Sequence, residues 1–286
     1  MSFEKKIVWL ASYPKSGNTW LRAFLSALMD DGKIDINKLT TDGIFSSRQL
    51  ISEYSDIDST ILTDSEVKIL QPEIFNLIAS QTLKNRLFIK VHDAYTFNKS
   101  NLPIIPSEST HCAIYIIRNP LDIVASLANH NNTTIDETIK FMNNPEACFA
   151  FQKNNFNINI QTRQILYDWS SHVISWKTKP DFPVYFIRYE DLKKDSFTTF
   201  RDALRKIGDY HSDESIENAI LASNFNQLKQ QEEDSGFKEK SYTSPIFFRN
   251  GQSENWSSEL NKIQIGKIIT FHKKMMKTFG YLHNKL

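Results

Sequence analysis

Three absences narrow what this chain of 286 residues can be. It has only two cysteines, Cys112 and Cys148, which are too few for a disulfide framework and are typical of a reducing compartment. No apolar run approaches the roughly 18 residues that a membrane-spanning helix needs. The 34 basic and 33 acidic residues leave a net charge of +1, which gives no global field that would recruit nucleic acid. We therefore expect a cytoplasmic protein, without a membrane span or a nucleic-acid partner, in which any anion site is local.

The composition favours a folded α/β domain. Hydrophobic residues make up 40% of the chain and aromatic residues 12%, which is enough for a sizeable core. Short runs rich in β-branched or aromatic residues predict four strands, at 7–10, 87–91, 112–117 and 183–187. Helical patterns separate them, which is the order of a parallel sheet with crossover helices. The prediction is one domain over residues 1–286, with a central parallel sheet flanked by helices.

Several helices can be placed from local signals. Asn119 and Pro120 are typical of an N-cap and a first helical position, and they predict a helix through Ala128. Apolar residues at helical spacing predict three more helices, at 165–177, 192–207 and 261–279. The polar stretches 30–65 and 129–162 are predicted to be loops and short helices over the same domain.

The segment from Ala11 to Trp20, A-S-Y-P-K-S-G-N-T-W, links the first strand to a helix. A strand, a tight loop and a helix start aim a row of unpaired backbone N–H groups at one point, and Lys15 adds a full charge. The segment therefore predicts an anion site. It does not match G-x-x-x-x-G-K-[ST], so an ordinary nucleoside-triphosphate loop is not the natural interpretation.

Two further strand ends carry polar side chains of interest. Lys90 and His92 are two residues apart on an extended chain, so their side chains point to one face of the sheet. An imidazole beside a cation suits group transfer to a hydroxyl, with the imidazole taking the proton. Arg118 ends the third strand, and Ser126 follows it by eight residues, two turns into the next helix. A guanidinium and a hydroxyl so placed can bind a phosphate.

In combination these segments resemble sulfotransferases that use 3′-phosphoadenosine 5′-phosphosulfate (PAPS). Y-P-K-S-G-N-T-W is similar to the family's 5′-phosphosulfate loop, and Arg118 with Ser126 to its 3′-phosphate motif. The Y-E-D-L stretch at Tyr189 and the segment from Ser223 to Phe225 resemble parts of the family that border the adenine. The resemblance covers nearly the whole chain and implies the P-loop-like sulfotransferase fold.

The match is imperfect in the last motif. The segment F-F-R-N-G that ends at Gly251, followed by Trp256, is similar to the family's R-K-G-x-x-G-D-W. Asn250 stands where the family has a lysine, so one positive charge is lost and weaker cofactor affinity is expected. The helix around His172 matches the family's W-x-x-H-V-x-x-W, and we assign this histidine no catalytic role.

The resemblance implies roles for the matching residues. His92 is the expected general base, Lys15 the stabiliser of the departing phosphate, and Lys90 a contact of the sulfuryl oxygens. The residues implied to bind PAPS and its product adenosine 3′,5′-bisphosphate (PAP) are Lys15, Ser16, Gly17, Asn18, Thr19, Trp20, Arg118, Ser126, Tyr189, Ser223, Phe225, Arg249, Asn250 and Gly251. No metal is expected, because lysines supply the positive charge.

Two alternatives remain open from the sequence. A small-molecule kinase would bind ATP with Mg²⁺, and Ser16 after Lys15 is compatible with it, but no strand ends in the aspartate that would hold the metal. A non-catalytic nucleotide-binding protein is the second alternative, although Lys15, Lys90 and His92 are all present. The acceptor is expected to be a small molecule, with phenols, sterols, lipids, sugars and amines all open. A homodimer is also left open, because no K-x-x-x-T-V-x-x-x-E dimer motif is clear near the C-terminus.

Overall fold

A computed structural model describes residues 4–150, 161–240, 246–249, 251 and 253–282. The chain packs as two compact units. The first comprises Met1–Tyr13, Asp42–Tyr115 and Pro145–Tyr185, and the second comprises Pro14–Thr41, Ile116–Asn144 and Phe186–Leu286. The single domain over 1–286 stays a prediction. Within the described ranges, no helix is long and apolar enough to cross a bilayer.

Among the described residues, the strands form two sheets. They are β1 (Ile7–Ser12), β2 (Leu87–Val91), β3 (Thr110–Ile117), β4 (Cys148–Phe149), β5 (Gln164–Ile165) and β6 (Val184–Arg188). The larger sheet has the order β2-β1-β3-β6, and β4 pairs with β5 antiparallel. β1 and β2 are parallel, with Ala11 opposite Val91 at the carboxyl end of the pair. All four predicted strands are confirmed, and so is the α/β fold class.

The helices occupy most of the remaining described chain. They are α1 (Asn18–Met29), α2 (Arg48–Ser55), α3 (Asp64–Gln81), α4 (Pro120–Asn131), α5 (Ile135–Met142), α6 (Trp169–Thr178), α7 (Tyr189–Lys194), α8 (Ser196–Lys206), α9 (Asp213–Ala222), α10 (Phe225–Ser235), α11 (Trp256–Glu259) and α12 (Lys262–Thr278). A short 3₁₀ helix lies at Ser59–Ile61.

The caps explain where two predicted helices start. The Asn119 side chain accepts a hydrogen bond from the Leu121 N–H at 3.1 Å, with Pro120 in the first helical position of α4. Asn261 caps α12 in a capping box with Gln264. Each start therefore lies at the polar residue that the sequence analysis marked.

Two predicted segments differ from the structure. The single helix expected at 192–207 is two helices, α7 and α8, because Asp195 leaves helical geometry and accepts a hydrogen bond from the Thr198 N–H at 3.0 Å. The second difference is the start of the helix expected at 165–177. Ile165 lies in β5, and α6 begins only at Trp169, with Asp168 as its N-cap.

Each unit has its own aromatic core. In the first, the Trp9 ring makes edge contacts with Phe45 at 5.6 Å and with Phe75 at 5.2 Å, and its indole N–H donates to Thr110 Oγ1 at 2.8 Å. In the second, Phe24 of α1 stacks on Phe200 of α8 with ring centroids 3.8 Å apart. The contact with Phe200 fixes α1, and with it the loop that opens this helix.

Candidate active site

The loop between β1 and α1 has the geometry of an anion cradle. Lys15 and Gly17 have positive φ values of 66° and 108°, so the backbone turns sharply just before the helix. Gly17 is the N-cap of α1 and, in the part of the chain that the structure describes, no side chain caps this end. The Ser16 hydroxyl is buried and has no hydrogen-bond partner among the described residues. A sharp turn, an uncapped helix start and a buried hydroxyl are the features that an anion site at this loop requires.

Tyr189, the first residue of α7, connects three of the predicted motifs. A Cβ atom at Gly17 would lie 2.6 Å from Tyr189 Cδ2, so only glycine fits beneath this ring. The Arg118 guanidinium lies 4.3 Å from the ring centroid, and the Tyr189 hydroxyl donates to the Gly251 carbonyl at 3.3 Å. Burial is the main cause that raises the pKa of Tyr189. Tyr189 therefore stays protonated and neutral beside the Arg118 guanidinium.

The 5′ loop and the strand-end arginine are joined directly. Arg118 Nη1 donates to the Lys15 carbonyl at 3.2 Å, which holds the guanidinium against the loop. The Lys15 ammonium lies 3.9 Å from the centroid of the Phe247 ring, a distance typical of a cation–π contact. The two motifs that the sequence analysis assigned to the two phosphate groups of the nucleotide therefore meet in the second unit.

An aromatic wall, formed by the rings of Trp20, Tyr189 and Phe200, lies beside the cations of Arg118 and Lys193. The Trp20 ring packs edge-on against Tyr189 at 5.9 Å and against Phe200 at 5.7 Å. The Lys193 ammonium lies 5.6 Å from the Trp20 ring. Burial lowers the pKa of Lys193, and the charge of Arg118 lowers it further, as expected where two cations approach each other. Such a surface suits a nucleotide, whose planar base can stack on aromatic rings and whose phosphates carry negative charge.

The C-terminal motif reaches the same group through Gly251. Its φ is 58°, and a Cβ atom there would lie 2.1 Å from the Phe225 ring, so the backbone passes directly over this aromatic side chain. Arg249 is half-exposed, and its Nη2 donates to both carboxylate oxygens of Glu259 at 2.8 and 2.9 Å. Its remaining N–H groups are the ones that it can turn to a phosphate without leaving Glu259.

The other predicted cofactor residues are less closely tied to this group. Ser126 is half-buried on α4, and the hydroxyl of Ser223, the C-cap of α9, donates to the Ala219 carbonyl at 2.7 Å. Asn18 and Thr19 are the first two residues of α1. Asn250 lies outside the described residues. The roles of these five residues stay predictions.

In the first unit, His92 directly follows β2, in register with the end of β1. Its Nδ1 lies 2.9 Å from the Ser12 carbonyl oxygen and 3.2 Å from the Ser12 hydroxyl. Because a carbonyl only accepts hydrogen bonds, Nδ1 carries a proton, and in the neutral form of the imidazole the lone pair is then on Nε2. The Ser12 carbonyl therefore favours the tautomer that a base acting through Nε2 requires.

Behind His92 lies a buried pair that the sequence analysis did not predict. His172 Nε2 donates to the His92 carbonyl at 2.9 Å, and His172 Nδ1 accepts from the Tyr115 hydroxyl at 2.7 Å. Burial lowers the pKa of His172 to about 4, so it is neutral near pH 7 and fixes the backbone of His92. The W-x-x-H-V-x-x-W pattern marks this histidine, but its partner is 80 residues away in sequence.

Two charged residues near His92 differ in their surroundings. Lys90 lies two positions before His92, and Asp93 directly follows it. Lys90 is half-buried and its backbone joins a bridge to Ile44. Asp93 is fully buried and pairs with Lys68 Nζ at 2.7 Å. Burial raises the pKa of Asp93, and the charge of Lys68 opposes that rise. As expected from strand alternation, Asp93 pairs with Lys68 and not with His92, and the His92 ring is hydrogen-bonded to the Ser12 carbonyl.

Among the described residues, no cluster of His, Cys, Asp or Glu is able to hold a metal ion.

Comparison with known proteins gives a consistent result. The sulfotransferase domain model matches residues 5–280. A flavonol 3-sulfotransferase from Flaveria bidentis is 24% identical over 274 residues, covering 91% of this chain and 78% of the relative. A luciferin sulfotransferase from Photinus pyralis is 23% identical over 284 residues, covering 96% of this chain and 72% of the relative.

Two solved structures have the same fold. A mouse sulfotransferase complexed with PAP matches with a TM-score of 0.60 and 21% identity, over 96% of this chain and 86% of that one. A retinol dehydratase in complex with androsterone and the inactive cofactor PAP matches with a TM-score of 0.63 and 18% identity, over 97% of this chain and 82% of that one.

Proposed function

The chain belongs to the sulfotransferase family, since the family's domain model covers nearly all of it, and from this premise we propose that it transfers the sulfuryl group of PAPS to a small-molecule hydroxyl. The observation that carries the proposal is the arrangement around Tyr189. There Arg118 is bonded to the loop of Lys15, and Gly17 and Gly251 contact the same side chain. Cationic and aromatic groups so placed suit a nucleotide with phosphates at both ends of its ribose.

The residues present fit PAPS. The buried Ser16 hydroxyl, which has no partner among the described residues, and the start of α1 supply donors for the 5′ group. Gly17 and Gly251 are positions where a Cβ would collide with Tyr189 and Phe225, so the backbone comes close to both rings. Arg118 and Arg249 are the groups for the 3′-phosphate, which ATP does not have.

When bound, PAPS supplies an activated sulfuryl group, and its departure leaves PAP. Lys15 and the N–H groups at the start of α1 stabilise negative charge on the 5′-phosphate side. Arg118 and Arg249 bind the 3′-phosphate and so discriminate against nucleotides that lack it. Trp20 and Phe225 offer aromatic faces to the adenine, with Tyr189 at its edge.

His92 is the proposed base in the first unit. The Nδ1–H donates to the Ser12 carbonyl, so Nε2 is the atom that takes the acceptor's hydroxyl proton. Lys90, two residues earlier, is proposed to stabilise charge on the sulfuryl oxygens. The tautomer of His92 supports this assignment, because the opposite tautomer would present a proton instead of a lone pair.

The acceptor is proposed to be a small organic molecule with a hydroxyl group. The names of the relatives point to a flavonol and a luciferin, and one is an amine sulfotransferase from Oryctolagus cuniculus. Two structures of retinol dehydratase hold androsterone and retinol, respectively. The alternative of an ATP-dependent kinase gains no support from these comparisons. Cytoplasmic location and oligomeric state stay predictions.

A thermal-shift titration tests the proposal without knowledge of the acceptor. PAP at 100 times its Kd is expected to stabilise the wild-type fold by about 2.7 kcal/mol, a rise in Tm of roughly 4–5 °C for a chain of this size. Adenosine 5′-phosphate (AMP), which has no 3′-phosphate, is the matched control and should raise the Tm less at equal concentration. A rise with ATP and Mg²⁺ but none with PAP would reject the sulfotransferase assignment in favour of the kinase.

A further inference from the structure

A buried carboxylate holds the backbone just before Arg249. Glu232 of α10 is 8% exposed, and each of its oxygens accepts one backbone hydrogen bond. The donors are two consecutive N–H groups, those of Phe247 and Phe248, each at 2.8 Å. Two charge-assisted bonds to one carboxylate fix position and direction together, because neither N–H can swing without losing its acceptor.

A second buried carboxylate holds the backbone just after Gly251 in the same way. Asp122 of α4 is 6% exposed. Its Oδ2 accepts from the Glu254 N–H at 3.0 Å, and its Oδ1 accepts from the Trp256 N–H at 3.2 Å. Burial raises the pKa of Asp122, and these backbone donors and the charge of Arg118 oppose that rise. Asp122 therefore lies near Arg118, the arginine of the other motif assigned to the 3′-phosphate.

The same two helices also carry groups of the proposed cofactor site. The first residue of α10 is Phe225, whose ring packs on Gly251, and Glu232 follows it by two turns on the same helix. The Phe225 and Phe248 rings are in edge contact at 6.2 Å. Aromatic packing and carboxylate bonding thus connect α10 to Phe247, Phe248 and Gly251.

We propose that Glu232 and Asp122 are positioning residues that preorganise Arg249 and the Gly251 backbone for the 3′-phosphate, an inference that rests on the proposed function. Arg249 and Gly251 lie in sequence between the two anchors, so their placement is set before the nucleotide arrives. Preorganisation raises affinity by removing the ordering cost of binding. Such anchoring offsets the charge that is missing in this chain because Asn250 stands at the family's lysine position.

Glu232→Gln is the discriminating variant, because glutamine keeps the shape but replaces one acceptor oxygen with a donor. Its Kd for PAP should rise about tenfold, the loss expected for one charge-assisted hydrogen bond. Its Kd for AMP should stay within about twofold of wild type, since AMP has no 3′-phosphate for the loop to contact. Both values are measured by isothermal titration calorimetry. Glu233→Gln is the matched control, since Glu233 is exposed and pairs only with Lys229 among the described residues, and it should leave both Kd values unchanged.

The possible outcomes distinguish a failure of this inference from a failure of the proposed function. A wild-type protein that binds PAP no better than AMP would overturn the proposed function and the inference together. A wild-type preference for PAP that survives in Glu232→Gln, or an equal loss for the two nucleotides, overturns the inference alone. Asp122→Asn is the second variant and should show the same selective loss. If neither variant folds, hydrogen exchange of the wild-type protein decides: slow exchange of the Phe247 and Phe248 amides supports the anchor, and fast exchange refutes it.

Discussion

His92→Ala is expected to lower kcat by about 10²- to 10⁴-fold, the usual contribution of a positioned general base, while PAP binding stays at the wild-type level. The side chain is held by the Ser12 carbonyl and its backbone by His172, so the imidazole has one orientation and one tautomer. Removing it leaves the acceptor hydroxyl without a base. The proposed nucleotide-binding groups lie in the second unit, so the affinity for PAP should not change.

The measurement is PAP production from PAPS with an acceptor that a screen of the wild-type protein has identified. The loss should shrink for phenols that are already acidic, because they need less help to lose their proton. His211→Ala serves as the control, since His211 belongs to the other unit and pairs with Asp209 at 3.0 Å. Unchanged turnover in His92→Ala would remove His92 from the role of base.

Gly17→Ala is expected to weaken PAP binding by about 10- to 100-fold, which corresponds to about 1–3 kcal/mol of strain and displacement. Two independent causes act at this position. A φ of 108° is unfavourable for a residue with a side chain, and the new methyl would lie 2.6 Å from Tyr189 Cδ2. The ring cannot shift without disturbing its contacts with Arg118 and Gly251. The variant therefore changes the centre of the proposed site while leaving every charge in place.

Gly266→Ala provides a matched control for this variant. Gly266 lies inside α12, and a Cβ there would meet no atom within 4 Å. Alanine should stabilise the helix by about 0.5–1 kcal/mol and leave the Kd for PAP unaltered. Calorimetry of the two variants gives the test. If PAP binds Gly17→Ala as tightly as wild type, the loop is not the 5′ site.

The sequence predicts the parts of the fold that local chemistry determines. The strand 87–91 is a continuous run with only one charged residue, and the Asn119-Pro120 pair defines the start of α4 without reference to the rest of the chain. The break between α7 and α8 was not predicted, because the apolar stripe runs through it and Asp195 also fits an exposed helical position. Only its backbone geometry and its bond to Thr198 identify it as a cap.

The candidate site likewise has a part that motifs predict and a part that depends on tertiary packing. Motifs identify Lys15, Arg118 and Tyr189, but they give no indication that Tyr189 contacts the loop, the guanidinium and Gly251 together. That contact depends on tertiary packing of segments that are more than 60 residues apart. The pairing of Arg249 with Glu259 is likewise invisible in the motif, because an arginine in a phosphate-binding pattern has the same sequence signature whether or not it already has a carboxylate partner.

The aromatic wall at Trp20 has an optical consequence. Trp9, Trp169 and Trp176 are 0% exposed and belong to the first unit, whereas Trp20 and Trp256 are half-buried in the second. Acrylamide should therefore quench the emission of only two of the five tryptophans. A purine stacked on Trp20 should lower the fluorescence emission of this tryptophan and shield it from acrylamide. The emission of the three buried tryptophans should stay constant. With adenine bound at Trp20 as proposed, the chain has its own fluorescent reporter of nucleotide occupancy, and a titration with PAP needs no label and no acceptor.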